Sequence, residues 1–123
     1  MKTAIVIFSD PKQGEEALGR VFNALGAALE MKTAGDDVLV VFQGTGTRWI
    51  GELAKKDHLL HGLFNAVLDK IAGASCGCAD VFGAAEDVNQ GQLPLLRDNP
   101  IPGTTGVASF RKYLNEGYTV LTF

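Results

Sequence analysis

The 123-residue sequence has only two cysteines, two histidines and one tryptophan, and it contains neither a long apolar run nor a basic cluster. The first apolar stretch, residues 4–8, is too short for a signal peptide or a membrane span, since a helix needs about 20 apolar residues to cross a bilayer. We therefore expect a cytoplasmic protein without a membrane segment. The formal net charge is −3 and the 11 lysines and arginines are scattered, so nucleic acid is not an expected partner.

The remaining composition is that of an ordinary globular domain. Apolar residues make up 46% and charged residues 20%, so the chain can bury a full core without disulfides or a structural metal. A length of 123 residues suits one hydrophobic core, and no internal repeat or low-complexity linker divides the chain. We expect one domain over residues 1–123.

A strand, a long helix and a second strand are predicted at the start of the chain. Residues 4–8 and 38–42 are apolar throughout, which is typical of strands buried on both faces of a parallel sheet. Between them, apolar residues recur at helical spacing: Ala17, Leu18, Val21, Phe22, Leu25, Ala28 and Leu29. This unit predicts an α/β fold, a three-layer sandwich whose four- to five-stranded, mostly parallel sheet is flanked by helices on both faces.

Shorter patterns predict the middle of the chain. A short helix is expected over residues 50–56, and a longer second helix follows Asp57 and ends near Gly73. A third strand is predicted at residues 73–76, more from the place of this segment in the chain than from its composition. A third helix is expected over residues 79–88. The predicted buried side of that third helix consists of Val81, Phe82 and Ala85.

The last part of the chain is predicted to complete the sheet. Residues 93–96 indicate an edge strand, because proline is tolerated only at an edge or at the start of a strand. Residues 118–123 form the last strand, after a helix that Gly117 terminates. The apolar positions of that fourth helix are Val107, Phe110, Tyr113 and Leu114.

Both cysteines lie where the third strand is predicted to meet the third helix. Ligands of parallel sheets bind at the carboxyl ends of the strands, and a helix start favours the reactive thiolate form of cysteine. Cys78 is expected nearer the helix start and is the first candidate nucleophile, with Cys76 second. Gly77 would permit a tight turn and a strained disulfide. The alternative is that both cysteines are small buried residues that pack a strand end.

A second candidate site follows the second strand. It consists of Gly44, Thr45, Gly46 and Thr47. This segment has the composition of a phosphate-cradling loop, but it lacks both the Gly-x-Gly-x-x-Gly pattern and the Walker lysine, so a tight turn without ligand is favoured. Trp49 could line a pocket there, and His58 could act as an acid, a base or a thiolate partner. Packing and capping are their more ordinary roles.

A metal site would need four ligands drawn from the two cysteines and the two histidines. His58 and His61 are three residues apart on the predicted second helix, but their spacing from the cysteines matches no zinc finger or ribbon. We expect neither a metal nor a cofactor.

Several segments together suggest a family. They are residues 42–49, 53–55, 57–58, 78–79, 82–83 and 116–123. In order and spacing they resemble the DsrE/DsrF-like (YchN-like) family of small α/β proteins, and the resemblance covers nearly the whole chain. It implies a compact three-layer α/β fold and assembly as a homotrimer or hexamer.

The same resemblance implies a role for one cysteine. In the better understood members, a cysteine near the third strand carries sulfur as a persulfide and passes it to a partner protein. In the branch that this sequence resembles, Cys-x-x-Cys-Ala precedes Phe-Gly, which places the second cysteine on Cys78 and the first on Ser75. Another alignment places the active cysteine at Ser75 or Cys76.

Two functions follow as hypotheses. The first is a sulfur carrier or sulfurtransferase-like protein that uses Cys78 or Cys76 and exchanges sulfur with a donor or acceptor protein. The second is a non-catalytic oligomeric module in which residues 44–49 and His58 bind a small molecule or a nucleotide.

Overall fold

The computed structural model describes all 123 residues and contains a five-stranded sheet in which every neighbouring pair of strands is parallel. The strands are β1 (Lys2–Ile7), β2 (Asp37–Phe42), β3 (Ile71–Ser75), β4 (Leu95–Leu96) and β5 (Thr119–Thr122). Their order across the sheet is β4-β3-β2-β1-β5. The α/β class, the parallel sheet and the edge position of the Leu-rich strand are therefore confirmed.

Six α-helices cover the sheet, most of them on one face. They are α1 (Gly14–Thr33), α2 (Trp49–Leu53), α3 (His61–Ala66), α4 (Cys76–Val81), α5 (Ala85–Gln90) and α6 (Phe110–Asn115). Buried residues of α1, α2, α3 and α5 share one apolar cluster with one face of the sheet. Tyr113 of α6 belongs to a smaller cluster on the other face. The predicted sandwich has two unequal helical layers.

The interior strand β1 shows why the sheet is buried on both faces. Ile5 and Ile7 of β1 belong to the larger cluster, whereas Ala4 and Val6 belong to the smaller one. All four residues are 0% exposed. Because alternate side chains of a strand point to opposite faces, a continuous apolar run is what a doubly covered strand requires.

The chain reverses direction across the sheet at β1. From β1 to β4 each new strand is added on the same side, and then α6 carries the chain back across the second face to β5, on the other side of β1. In open parallel sheets such a reversal leaves a crevice at the carboxyl ends of the two strands that flank it.

Several element boundaries differ from prediction, most of all in the middle of the chain. The predicted second helix ends at Ala66, and after a short turn Ile71 begins β3, where it pairs with Val40. The predicted helix is too long because the apolar residues keep a helical spacing up to Ile71, which already belongs to the strand. The predicted third helix is two helices, α4 and α5, separated at Gly83 by a positive φ of 71°. Val81 is consequently 70% exposed and not buried as predicted.

Three further apolar residues predicted to be buried are on the surface. Phe8, which follows the end of β1, is 41% exposed, Phe22 of α1 is 53% exposed and Leu114 of α6 is 59% exposed. Phe22 borders a groove between α1 and α3 and does not reach the sheet. Gly117 ends α6 as predicted, with φ of 89° and a hydrogen bond from its N–H to the carbonyl oxygen of Leu114. None of the helices combines the length and the apolar character needed to cross a membrane.

Candidate functional site

Both cysteines are free thiols in α4, which follows β3 without a connecting loop. Cys76 is the first residue of this helix and is 3% exposed, whereas Cys78 is partly exposed. The prediction that Cys78 is nearer the helix start is wrong, because the helix begins at Cys76 and not at residue 79. Accessibility, and not position at the helix start, therefore distinguishes the two thiols.

The helical conformation keeps the two sulfur atoms apart. Side chains at positions i and i+2 of an α-helix point to opposite sides, so Cys76 and Cys78 do not face each other. A disulfide between the two cysteines would require residues 76–78 to leave the helical conformation and form a tight turn at Gly77. In this conformation the chemistry of the site is that of one accessible thiol, on Cys78.

A loop covers the start of α4 and holds it in place. The N–H of Gly77 donates to the carbonyl oxygen of Gly106 at 2.7 Å, and the Thr105 hydroxyl donates to the Asp80 carboxylate at 2.6 Å. The loop itself is closed by an antiparallel bridge between Asn99 and Val107. No sequence signal indicates this role for residues 99–107, because the segment is rich in glycine and proline and has no periodic pattern.

Ser75 has a structural role at the end of β3. Its side chain is 0% exposed, and its hydroxyl oxygen accepts a hydrogen bond of 3.1 Å from the backbone N–H of Ala108. Ser75 occupies the position to which the family resemblance assigns the first cysteine of a pair. Here that position anchors the covering loop and provides no thiol beside Cys78.

The predicted phosphate loop is a 3-10 helix, Gly44–Arg48, packed against the end of β1. The Thr45 hydroxyl donates to the carbonyl oxygen of Phe8 at 3.1 Å, and the buried Thr47 hydroxyl donates to that of Gly44 at 2.8 Å. A Cβ atom at Gly46 would clash with the carbonyl oxygen of Ile7. These contacts join the ends of β1 and β2 and favour a structural role for the segment.

The residue after Thr47 forms an ion pair. Arg48 Nη1 lies 2.9 Å from Asp10 Oδ2, with both side chains largely buried. Arg48 Nε also donates to the carbonyl oxygen of Phe82 at 3.1 Å, and the guanidinium lies 5.5 Å from the centroid of the Phe82 ring. Arg48 thus links the loop after β1 to the end of α4.

The side chains of Trp49 and His58 pack against each other. Trp49 is 2% exposed, and its indole N–H donates to the carbonyl oxygen of Ser9 at 2.8 Å. The rings of Trp49 and His58 meet edge to face with centroids 6.2 Å apart, and His58 Nδ1 accepts a hydrogen bond from the N–H of Leu60. His58 therefore caps a turn locally.

The second histidine, His61, also forms hydrogen bonds with residues close to it in the chain. His61 Nδ1 donates to the carbonyl oxygen of Leu53 at 2.8 Å, and its Nε2 accepts from the Asn65 amide at 2.9 Å. No three His, Cys, Asp or Glu side chains are grouped so that they could hold a metal ion. The structure does not bring the cysteines and histidines together as a ligand set.

Gln43, the residue after β2, was not identified from the sequence. It is 7% exposed, and its Oε1 atom is buried without a hydrogen-bond partner. Strand register places Gln43 between Phe8 and Ser75, since Ile7, Phe42 and Ala74 are neighbours across the sheet. Gln43 therefore places a buried amide group at the carboxyl edge of the sheet.

The fold and the site define a small α/β protein with one accessible thiol at the carboxyl edge of a parallel sheet. The sequence profile of the DsrE/DsrF-like family matches residues 1–123, and the chain belongs to this family. The predicted resemblance is thereby confirmed.

Two known proteins resemble the chain over most of its length. An uncharacterised protein of Methanocaldococcus jannaschii is 30% identical over 121 residues, which cover 98% of this chain and 94% of that protein. The solved structure of a conserved protein of unknown function from Bacteroides thetaiotaomicron superposes with a TM-score of 0.63 at 19% identity, covering 98% of this chain and 94% of the other. The structural likeness supports the fold.

Proposed function

We propose that this protein is a sulfur carrier that holds sulfane sulfur as a persulfide on Cys78. The observation that carries the proposal is the contrast between the two thiols of α4: Cys78 is partly exposed at the carboxyl edge of the sheet, whereas Cys76 is 3% exposed. A persulfide carrier needs a thiolate that a donor can reach. Membership of the DsrE/DsrF-like family supports this choice.

The reaction is a thiol exchange in two steps. The Cys78 thiolate attacks the outer sulfur of a persulfide R–S–SH on a donor protein, so that a new S–S bond forms at Cys78 and the donor S–S bond breaks. The donor leaves as a thiolate R–S⁻, and the outer sulfur keeps its proton. An acceptor thiolate then takes the outer sulfur from Cys78 by the same exchange, and no external oxidant or reductant is consumed.

The geometry of α4 favours a single-thiol carrier over a dithiol pair. Cys76 and Cys78 point to opposite sides of the helix, and the buried Ser75 hydroxyl is committed to the backbone of Ala108. A persulfide on Cys78 therefore has no adjacent thiol to expel its sulfur as sulfide. Such a site can hold sulfur until an acceptor protein arrives.

Assembly is part of the proposal. We propose a homo-oligomer, a trimer or hexamer, in which the apolar groove between α1 and α3 is covered by another copy of the chain. Leu59 and Phe22 border this groove and are 81% and 53% exposed. Such large apolar side chains, grouped together, are typical of an interaction surface.

Intact mass spectrometry tests the function. After incubation of the reduced protein with polysulfide, we expect mass increases in steps of about 32 Da, one sulfur atom each. Cys78→Ser should abolish these steps, and the matched variant Cys76→Ser should retain them. Equal loading of Cys78→Ser and the wild type would overturn the assignment, and persistence of the steps in the double variant would show that sulfur does not reside on cysteine.

A further inference from the structure

A cavity of about 360 Å³ lies at the carboxyl ends of β1 and β5, and neither cysteine lines it. Its walls include Phe8, Ser9, Glu16, Ala17, Arg20 and Phe123. These residues come from the loop after β1, the first turns of α1 and the segment after β5. The cavity is thus distinct from α4 and from the residues proposed to carry sulfur.

The cavity lies where the topology of the sheet predicts a ligand. β1 leads into α1 on one face, and the chain returns to β5 through α6 on the other face. The crevice between β1 and β5 is therefore the switch point of the sheet, which is the usual ligand position in open parallel α/β folds. Of the sites suggested by the sequence, the cysteines after β3 do not line this cavity, whereas the segment after β2 contacts its rim, since Arg48 pairs with Asp10.

The inner wall of the cavity is apolar. Phe123 packs against the larger apolar cluster and lines the cavity together with Ala17 of α1. Phe8 also borders the cavity, but its phenyl group packs against that of Phe110 on the other face of the sheet, with centroids 6.3 Å apart. An apolar side chain of a ligand would bury the exposed part of Phe123 and gain the corresponding hydrophobic free energy.

The opposite wall carries one charge of each sign. Arg20 Nη2 donates a single hydrogen bond of 2.7 Å to Glu16 Oε1, which leaves the other N–H groups of the guanidinium and the second carboxylate oxygen free of protein partners. Asp10 also borders the cavity, but its carboxylate accepts from Arg48 and from the N–H of Lys12. Glu16 and Arg20 are the charges available to a ligand.

Size restricts the ligand further. A volume of about 360 Å³ is near the lower end of the range of about 300–1,000 Å³ for ligand sites, which suits a small metabolite and is small for a nucleotide. We propose that this cavity binds a free amino acid with an apolar side chain. Arg20 binds its carboxylate, Glu16 binds its ammonium group, and Phe123 contacts its side chain.

The test uses L-phenylalanine and two analogues, each of which lacks one of its two charged groups. L-Phenylalanine has both charges, 2-phenylethylamine lacks the carboxylate, and 3-phenylpropanoate lacks the ammonium group. In amide NMR titrations we expect L-phenylalanine to give saturable shifts confined to residues 8–20 and 123. Each analogue should bind at least about tenfold more weakly, since a hydrogen bond to a charged group contributes about 1.5–3 kcal/mol.

Protein variants assign the two charges. Arg20→Gln and Glu16→Gln should each weaken L-phenylalanine about tenfold while the remaining amide spectrum stays that of the folded wild type. Glu52→Gln is the matched control, because its carboxylate pairs with Lys55 outside the cavity, and it should bind as the wild type does. Absence of saturable shifts up to about 10 mM, or equal binding of all three probes, would overturn the proposal.

Discussion

Gly77 and Gly106 are in direct contact: the N–H of Gly77 donates to the carbonyl oxygen of Gly106 at 2.7 Å, and a Cβ at Gly77 would lie 3.0 Å from that oxygen. The contact fixes the helix that bears both cysteines to the loop that covers it. Gly77 is helical, so glycine is needed there for the close approach and not for an unusual backbone angle.

Gly77→Ala should therefore destabilise the protein. The added methyl group would press on Gly106 and on Val107 Cγ1, which is 3.3 Å away, and overpacking of this kind costs about 1–3 kcal/mol. The matched control is Gly26→Ala in the middle of α1, where a Cβ meets nothing within 4 Å. Its helix propensity should raise the free energy of unfolding by about 0.5–1 kcal/mol. Urea denaturation measures both, and equal effects in the same direction would contradict the packing described.

The pH dependence of stability should include a contribution from Asp69. The Lys32 ammonium donates a hydrogen bond of 2.7 Å to this carboxylate and lowers its pKa below the ordinary value of 3.8. Because the folded-state pKa is the lower one, the contribution is present above the unfolded pKa and is lost as the pH falls through the folded pKa. The direction of the pH effect is thus loss of stability in acid.

NMR titration of the Asp69 carboxyl carbon checks this. In Lys32→Met the pKa of Asp69 should rise toward its ordinary value, because the hydrogen bond and the positive charge are both removed. Lys55→Met, which removes an ammonium paired with Glu52, should leave the pKa of Asp69 where it is in the wild type. An Asp69 pKa that does not respond to Lys32→Met would disprove the pairing.

The apolar groove between α1 and α3 predicts self-association. Its volume is about 550 Å³, and Leu59 and Phe22 expose 81% and 53% of their surface beside it. Light scattering of the wild type should give a multiple of the 13.1 kDa chain mass, and Leu59→Ser combined with Phe22→Ser should shift it toward the monomer. Val81→Ser, at a 70% exposed position outside the groove, should not. A monomeric wild type would refute the proposed assembly.

Long uniform patterns allowed much of the fold to be predicted. β1 and β2 are continuous apolar runs and α1 has 20 residues of regular periodicity, so their order and parallel pairing follow from the sequence. The boundary at Ile71 could not be predicted, because the apolar spacing of α3 continues into β3. Helices of 6 residues, such as α4, are too short for periodicity to fix their start.

The candidate site was predictable in position but not in detail. Strand order places Cys78 at the carboxyl edge, but its exposure relative to Cys76 depends on the rotation of α4 against the sheet. Whether Thr45 is free to bind a ligand depends on the direction of its hydroxyl, which donates to the carbonyl oxygen of Phe8. The sequence does not determine that direction. Glu16 and Phe8 meet at a cavity because the chain reverses at β1, and no local pattern reveals that reversal.

The most direct test of the central claim is to locate the persulfide in the wild-type protein. After polysulfide loading and alkylation, tandem mass spectrometry of the tryptic peptide spanning residues 71–97 separates fragments that contain Cys76 alone from those that also contain Cys78. We predict that the added sulfur resides on Cys78 and that Cys76 is alkylated only after unfolding, since it is 3% exposed. Sulfur found on Cys76 in the folded protein, or divided equally between the two residues, would contradict the account.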